Sequence, residues 1–282
     1  MVRSVTGASV LGGLRVAVTR SGARDPGDPL VRILGRAGAT PLPVPLTRTA
    51  PPGDPGVLER AVLHLPGYDW LVVTSARTVV PLVQAIRAAG VRVEDARARG
   101  LRICAVGPRT GKVLARAGLA PDVLPERFNA EGVVRSILAE QRGRPPRVLF
   151  PRAEEGRETI PRQLRRAGAE VRLVAAYRTL AVPGAGAQLA ALVATGEVDA
   201  LTFTAPSGAR LFVEAWTERR GTDLVDGRPD RLGIPAGIGI LALGPSTADA
   251  LRARGLAVDR VAEPYTFTGL LSALAEWVTA SG

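Results

Sequence analysis

The chain has 282 residues, which is more than one small α/β unit needs, and its hydrophobic fraction of 46% is sufficient for two separate cores. Lys and Arg together outnumber Asp and Glu by 37 to 26, and the formal charge of +11 favours an anionic partner, although an Arg-rich composition also reflects a GC-rich genome. Aromatic residues make up only 4% of the chain, which argues against the base-stacking surface of a single-strand nucleic-acid binder.

The first residues, 1–13, are predicted to form a loose extension before the first strand. Val5–Leu14 superficially resembles the apolar part of a signal peptide, but Arg15 interrupts the pattern and no small-residue cleavage site follows. No apolar run approaches the ~18 residues of a membrane span. We therefore expect a cytoplasmic protein that does not act at a membrane.

Short apolar runs alternate with helical segments rich in Ala, Leu and Arg, a pattern typical of α/β layers. The helices commonly end in Ala-Gly, where Gly supplies the left-handed residue that follows a helix. Continuous apolar strands are typical of parallel sheets covered on both faces, so the predicted fold is α/β with doubly wound parallel sheets. The strands of the first half are predicted near Val16–Thr19, Pro41–Val44, Trp70–Thr74, Ile103–Val106 and, for a short strand, Val123.

The sequence contains the same pattern twice, which indicates an internal duplication. Arg15–Thr49 and Arg147–Thr179 share a basic start, a polar turn, a helix that ends in Arg-Ala-Gly-Ala, and a strand followed by Arg-Thr. The segment that begins at Leu101 likewise recurs from Ile238. Each repeat is expected to hold five strand-then-helix units.

Pro-rich stretches follow the second strand of each repeat and are predicted to be interdomain linkers. The two domains are then interleaved rather than consecutive. A simpler split near Gly143–Pro146 stays open. The predicted bounds are 1–46 plus 182–282 for the discontinuous domain 1, 47–181 for the inserted domain 2, and near 45–55 and 180–187 for the linkers.

The strand-to-helix turns carry the candidate binding residues, because ligands of open parallel sheets lie beyond the carboxyl ends of the strands. Gly107-Pro108 and Gly244-Pro245 each place Gly at a helix N-cap and Pro at the first helical position. The next backbone N–H groups and the helix dipole attract a carboxylate. The substrate-binding residues predicted in these turns, and in the turns after the third strand of each repeat, are Ser75, Gly107, Thr110, Ser207, Gly208, Gly244, Ser246 and Thr247.

No familiar catalytic motif is present, and the chain lacks the sequence patterns of phosphate-binding loops, nucleophile elbows and zincins. His64 and Cys104 are the only residues of their types and are predicted to be structural, so no metal and no cofactor are expected. Tyr177 aligns with Thr47 of the first repeat, at the end of a strand beside a linker. It is predicted either to project towards a ligand or to be a half-buried strand residue.

The order of several short motifs resembles the uroporphyrinogen-III synthase family over nearly the whole chain from Arg15 onward. Each motif is weak alone, so the resemblance depends on their order, their spacing and the duplication. Ala205 departs from the Ser-Pro-Ser-Gly that is more usual in the family, so no hydroxyl is available there. The motifs lie at Val18–Arg20, Val72–Ser75, Ala105–Thr110, Phe150–Arg152, Tyr177–Thr179, Phe203–Gly208 and Leu243–Thr247.

The resemblance implies two flavodoxin-like domains joined by a two-stranded linker, with the substrate between them. It implies that hydroxymethylbilane loses water and closes to uroporphyrinogen III with ring D inverted, a step of tetrapyrrole biosynthesis. Tyr177 is then a candidate proton donor, and Arg20 and Arg152 join the substrate-binding residues. Hydroxymethylbilane synthase is a candidate partner of an expected monomer that binds no nucleic acid. The alternative is a two-domain cytoplasmic binding or regulatory protein for a polyanionic ligand.

Overall fold

The computed structural model describes residues 10–140, 143–156, 158–220 and 231–281 of the chain. These residues divide into two compact units. Unit 1 contains Met1–Arg48 and Leu180–Gly282, and unit 2 contains Thr49–Thr179. The alternative split near Gly143–Pro146 falls inside unit 2 and is therefore not the division that the structure has.

Strands and helices alternate through both units. In chain order the strands are β1 (Arg15–Val18), β2 (Thr40–Pro43), β3 (Thr47–Ala50), β4 (Trp70–Val73), β5 (Arg102–Ala105), β6 (Arg147–Ala153), β7 (Glu170–Ala181), β8 (Ala200–Phe203), β9 (Gly239–Ala242) and β10 (Arg260–Val261). The α-helices are α1 (Pro29–Arg36), α2 (Gly56–Val62), α3 (Val79–Ala88), α4 (Val93–Ala98), α5 (Pro108–Arg116), α6 (Ala130–Leu138), α7 (Thr159–Arg166), α8 (Ala185–Ala194), α9 (Pro206–Arg220), α10 (Pro245–Arg252) and α11 (Phe267–Ser281).

Unit 1 is built on a five-stranded sheet in the order β10-β9-β8-β1-β2, in which every neighbouring pair is parallel. Side chains of successive strand residues point to opposite faces. Val16 and Val18 therefore pack into one core, which α1 and α11 cover, and Ala17 packs into a second core with residues of α8 and α9. Cores on both faces explain why these strands are apolar throughout.

Unit 2 is built on the sheet β3-β7-β6-β4-β5, and Val123 adds a parallel bridge to Cys104 at its edge. The pairs β6–β7, β6–β4 and β4–β5 are parallel. Leu71 and Val73 pack into one core, whereas Trp70 and Val72 pack into another on the opposite face. The predicted α/β class is confirmed, and parallel pairs dominate the sheets of both units.

Two features differ from the predictions. Residues 1–9 of the predicted loose extension lie outside the described residues, but Leu11 is buried in the core of unit 1 and Gly13 N donates to Gly38 O at 3.1 Å. Residues 11–13 are therefore anchored, because an apolar side chain gains free energy by burial. In addition, β7 continues past Tyr177 to Ala181, so Tyr177 is not at the carboxyl end of its strand.

The chain passes between the units inside β3 and inside β7, at residues 48/49 and 179/180. The predicted domain boundaries are 46/47 and 181/182. β3 lies next to β7 in the sheet order. None of the described helices is long and apolar enough to cross a membrane.

Candidate active site

A cavity of about 620 Å³ in unit 2 opens where β4, β5 and β6 end. Its volume lies within the range of ligand pockets, about 300 to 1,000 Å³. This position agrees with the rule that ligands bind beyond the carboxyl ends of parallel strands. The polar side chains that line the cavity are those of Thr74, Ser75, Asn129, Arg152, Thr159 and Tyr177.

An irregularity in β7 decides on which face of the sheet Tyr177 packs. The register with β6 pairs Arg152 with Ala175 and then Ala153 with Tyr177, so Ala176 is an extra residue. Regular alternation along β7 would put the side chains of Tyr177 and Val174 on opposite faces of the sheet. The extra residue reverses the direction of the Tyr177 side chain, so Tyr177 and Val174 pack into the same core. Tyr177 is buried, and no described residue hydrogen-bonds to its hydroxyl. Its ring also borders a second cavity of about 380 Å³, lined by Pro51, Pro52 and Pro81 among others.

Arg152 brings a positive charge to the cavity. It lies at the end of β6, its side chain is mostly buried, and its guanidinium forms an ion pair with Glu158, the residue before α7. Gly156 allows this placement, since a Cβ there would approach Arg152 Cδ to 2.8 Å. Burial fixes the guanidinium beside the cavity, and the fork of N–H donors suits a carboxylate.

Ser75 and Asn129 serve as helix caps at the cavity wall. Ser75 Oγ accepts a hydrogen bond of 3.2 Å from Arg77 N at the start of a short 3₁₀ turn. Asn129 Oδ1 accepts one of 2.9 Å from Gly132 N at the start of α6. Such caps leave other N–H groups of the first turn without an intrahelical partner. The cavity is therefore bordered by backbone donors as well as by Arg152.

Gly107 and Thr110 lie beside the cavity rather than in its lining. Gly107 is the N-cap of α5 and Pro108 its first residue, as predicted from the sequence. Thr110, however, is buried on the same face of α5 as Leu114, one turn later. Helical residues four apart share a face, so Thr110 packs towards the sheet and little of its surface is exposed. Its part in substrate binding stays a prediction.

Arg20 of unit 1 has a different environment from Arg152. Its guanidinium forms an ion pair with Asp28 and lies 5.1 Å from the centre of the Phe267 ring. Asp28 is the N-cap of α1, and its Oδ1 accepts hydrogen bonds from Leu30 N at 2.9 Å and Val31 N at 3.1 Å. Arg20 is therefore part of the structure that starts α1.

The remaining predicted residues of unit 1 lie at two helix starts. Ser207 and Gly208 are in the first turn of α9; Ser207 is half-buried and Gly208 is buried. Gly244 is the N-cap of α10, where Ser246 is exposed and Thr247 is buried on the same face as Leu251. Thr247, like Thr110, is mostly covered by the packing of its helix, whereas Ser246 is exposed.

Some residues of the cavity were not singled out from the sequence. Phe128, Asn129 and Thr159 lie in its lining together with the apolar Phe150. The Asn before a helical segment was an available signal for a cap at residue 129. Nothing local marks Phe128 or Thr159, because their position depends on how α6 and α7 pack against the sheet.

The residues predicted to be structural lie away from the cavity lining. Cys104 is buried in the core, and burial raises the pKa of its thiol to about 12. A thiol with this pKa stays protonated near neutral pH and is a poor nucleophile. His64 is exposed beyond the end of α2. Within the described ranges no group of three or more His, Cys, Asp or Glu residues is arranged to hold a metal ion.

Comparison with known proteins gives consistent results. The chain is 28% identical over 266 residues to the uroporphyrinogen-III synthase of Synechococcus elongatus, covering 94% of this chain and 96% of that protein. Its fold matches the crystal structure of a mutant uroporphyrinogen III synthase from Thermus thermophilus, with a TM-score of 0.66, 22% identity and coverage of 96% and 100%. The Helicobacter pylori uroporphyrinogen-III synthetase gives a TM-score of 0.56 at 14% identity, with coverage of 94% and 99%.

The profile described as uroporphyrinogen-III synthase HemD matches residues 28–272, which span both units. This match supports the enzyme prediction over the alternative of a binding or regulatory protein. The chain belongs to the uroporphyrinogen-III synthase family.

Proposed function

We propose that the protein converts hydroxymethylbilane into uroporphyrinogen III in tetrapyrrole biosynthesis. The observation that carries this proposal is the family match over residues 28–272, together with a cavity at strand ends that holds Arg152 and Tyr177. The substrate has eight carboxylates, so it suits a chain of formal charge +11 and a cavity with a buried guanidinium.

The chemistry places modest demands on the side chains. The carbon–oxygen bond of the hydroxymethyl group breaks as its oxygen takes a proton and leaves as water, and pyrrole nitrogen electrons stabilise the resulting azafulvene cation. That cation is attacked by the substituted carbon of ring D to form a spiro intermediate. The bond from this carbon to the methylene bridge of ring C then breaks, the free α-carbon of ring D bonds to that bridge and loses a proton, and ring D is thereby inverted. Holding the chain in the reactive shape contributes several kcal/mol. The main task of the protein is therefore to hold the substrate in the reactive conformation.

Within this reaction we assign Tyr177 as the proton donor to the leaving hydroxyl. Its position in the cavity lining supports the assignment. Arg152 and Ser75 bind substrate carboxylates in unit 2, with the backbone N–H groups after Gly107. In unit 1 the corresponding donors follow Gly208 and Gly244, with Ser207 and Ser246. Thr110 and Thr247, which are buried, stabilise these turns by packing. Arg20 stabilises the start of α1 through its ion pair with Asp28.

We also infer that the two units are flavodoxin-like domains that arose by duplication, joined by β3 and β7. When the strands are numbered by their position in each repeat and β3 is left out, both sheets follow the order 2-1-3-4-5, with Val123 as the fifth position of unit 2. In both units an aspartate directly before a strand or bridge residue accepts a hydrogen bond from one of the first residues of the neighbouring strand. These bonds join Arg15 N to Asp199, Arg147 N to Asp69, Ile103 N to Asp122 and Ile240 N to Asp259, each at 2.7 Å.

We further propose that the enzyme acts as a cytoplasmic monomer, without a metal or cofactor, and receives its substrate from hydroxymethylbilane synthase. Chelation and desalting are expected to leave the rate unchanged, because departure of water from this substrate is assisted by the pyrrole itself. A rate that is lost on chelation and restored by one divalent ion would contradict the metal-free proposal.

One assay tests the function. The protein is incubated with freshly prepared hydroxymethylbilane, the products are oxidised, and porphyrin isomers III and I are resolved. We expect mainly isomer III, formed faster than in buffer. Formation of isomer I alone, at the rate seen without protein, would refute the proposed function.

A further inference from the structure

An aromatic ring stands exposed at the rim of the cavity in unit 2. Phe128 is 59% exposed, although phenylalanine is among the residues most often buried. It lines the cavity together with Val106 and Ile160. An apolar ring that faces solvent inside a ligand-sized cavity is typical of a surface that another molecule covers.

The ring is held in place by backbone on two sides. Phe128 directly precedes Asn129, the N-cap of α6, so its main chain is fixed by the start of that helix. Its side chain packs on Gly107, where a Cβ would lie 3.5 Å from Phe128 Cβ and Cγ. The ring is therefore an ordered platform next to the start of α5.

Unit 1 has the same arrangement with a different sequence. Tyr265 is 62% exposed, precedes α11, and packs on Gly244, the N-cap of α10, with its Cγ 3.7 Å from the position of a Cβ there. In each unit an exposed aromatic ring covers the N-cap glycine of the helix after the fourth strand. Burial in the core does not explain either ring.

We propose that Phe128 is a positioning residue whose ring packs against one pyrrole ring of the bound substrate; the proposal rests on the proposed function. Flat, electron-rich pyrrole rings and phenyl rings associate by offset stacking or edge-to-face contact. Such a contact limits rotation of one pyrrole about its methylene bridges. Phe128 thereby helps to hold the linear chain in the shape that leads to inversion of ring D.

The test compares Phe128→Ala, Phe128→Leu and Phe128→Tyr with Leu63→Ala, which truncates an exposed apolar residue of unit 2 outside the cavity. KM, kcat, melting temperature and the ratio of isomers III and I are measured with hydroxymethylbilane. Phe128→Ala should raise KM about 2- to 10-fold, the range expected for one aromatic pair, and increase the share of isomer I. Phe128→Tyr should restore both values, and Phe128→Leu should restore them only in part.

The melting temperature of the Phe128 variants should stay close to that of Leu63→Ala, because the ring is exposed. If Phe128→Ala matches Leu63→Ala in KM and isomer ratio, the inference is wrong. If Phe128→Ala does not fold, the same comparison is made with Phe128→Leu against Phe128→Tyr, and equal values for those two overturn it. Failure of the wild-type protein to form isomer III would instead refute the proposed function, so the two failures are distinguishable.

Discussion

Both units place an arginine at or just after the end of a strand and pair it with the acidic residue before the next helix. In unit 1 the pair is Arg20 with Asp28, and in unit 2 it is Arg152 with Glu158. The side chain of Asp28 is only 1% exposed and caps α1, whereas that of Glu158 is 51% exposed and makes no capping hydrogen bond. Matching sequence positions thus have different environments.

This difference indicates which unit supplies the side chains for binding and catalysis. Removing Asp28 would take an ion-pair partner from a mostly buried guanidinium and the cap from α1, so Arg20 is committed to the fold. Glu158 is largely solvated, and exchanging it for a substrate carboxylate costs little. Tyr177 is also in unit 2, where unit 1 has the buried Thr47. Unit 2 is therefore expected to supply the acid and the exchangeable cation.

The largest effect is expected from Tyr177→Phe. Loss of a general acid should lower kcat about 10²- to 10⁴-fold, while residual product stays mostly isomer III because the substrate is still held in shape. Tyr68→Phe is the matched control, since Tyr68 is buried in the same core but lies outside the cavity lining. Isomer-resolved kinetics provide the measurement. Equal rates for the two variants, or mainly isomer I from Tyr177→Phe, would contradict the assigned role.

The next largest effect is expected on the free energy of unfolding, when the substitutions of Asp28 and Glu158 are compared. Asp28→Ala should lower the free energy of unfolding by about 3 to 5 kcal/mol, because it breaks a buried pair and removes a cap. Glu158→Ala should lower it by less than about 1 kcal/mol, because that carboxylate is largely solvated. Urea denaturation measures both. Similar losses in the two variants would show that the pairs are equivalent.

A smaller effect is expected on substrate binding from Arg152→Gln. Loss of a charge-assisted hydrogen bond of about 1.5 to 3 kcal/mol should raise KM about 10- to 100-fold, with kcat less affected. Arg165→Gln is the control, because Arg165 also approaches Glu158, with its Nη1 3.8 Å from Oε2, yet does not line the cavity. An unchanged KM for Arg152→Gln would exclude Arg152 from substrate binding.

The smallest effects are expected from Thr110→Val and Thr247→Val. Both residues are buried, while the backbone donors of their turns are retained in the variants. KM should change by less than about threefold in each case, as for a lost neutral hydrogen bond of about 0.5 kcal/mol. Steady-state kinetics check this expectation. A tenfold rise in KM for either variant would mean that the hydroxyl itself contacts the substrate.

Local sequence was enough to predict most of the strands. β1, β4 and β5 are short apolar runs, and each begins and ends within about a residue of its predicted position. The sequence did not predict the length of β7, because its continuation past Tyr177 lies in a pairing with β3 that is distant along the chain. The sequence also did not predict that Leu11 is buried, because its burial depends on the core that forms around it.

The candidate site was less predictable than the fold. Sequence singled out Ser75, Arg152 and Tyr177, and all three line one cavity. The extra residue in β7 that re-aims Tyr177 is not visible in an alternating pattern. Arg20 and Arg152 are equivalent in sequence and are distinguished only by the burial of their partners, which is a tertiary property. For the same reason, the burial of Thr110 and Thr247 appears only once their helices are packed.

We expect Arg152 to exchange Glu158 for a substrate carboxylate when substrate binds, and a double-mutant cycle tests this exchange. KM is measured for Glu158→Gln, Arg152→Gln and the double variant. Removing the competing carboxylate should lower KM about 2- to 5-fold, the size of a solvated ion pair. The double variant should have nearly the same KM as Arg152→Gln, because Arg165, the other partner of Glu158, does not line the cavity and Glu158 is expected to affect binding through Arg152. A rise in KM for Glu158→Gln as large as that for Arg152→Gln would show that the intact pair is required, and would contradict the claim.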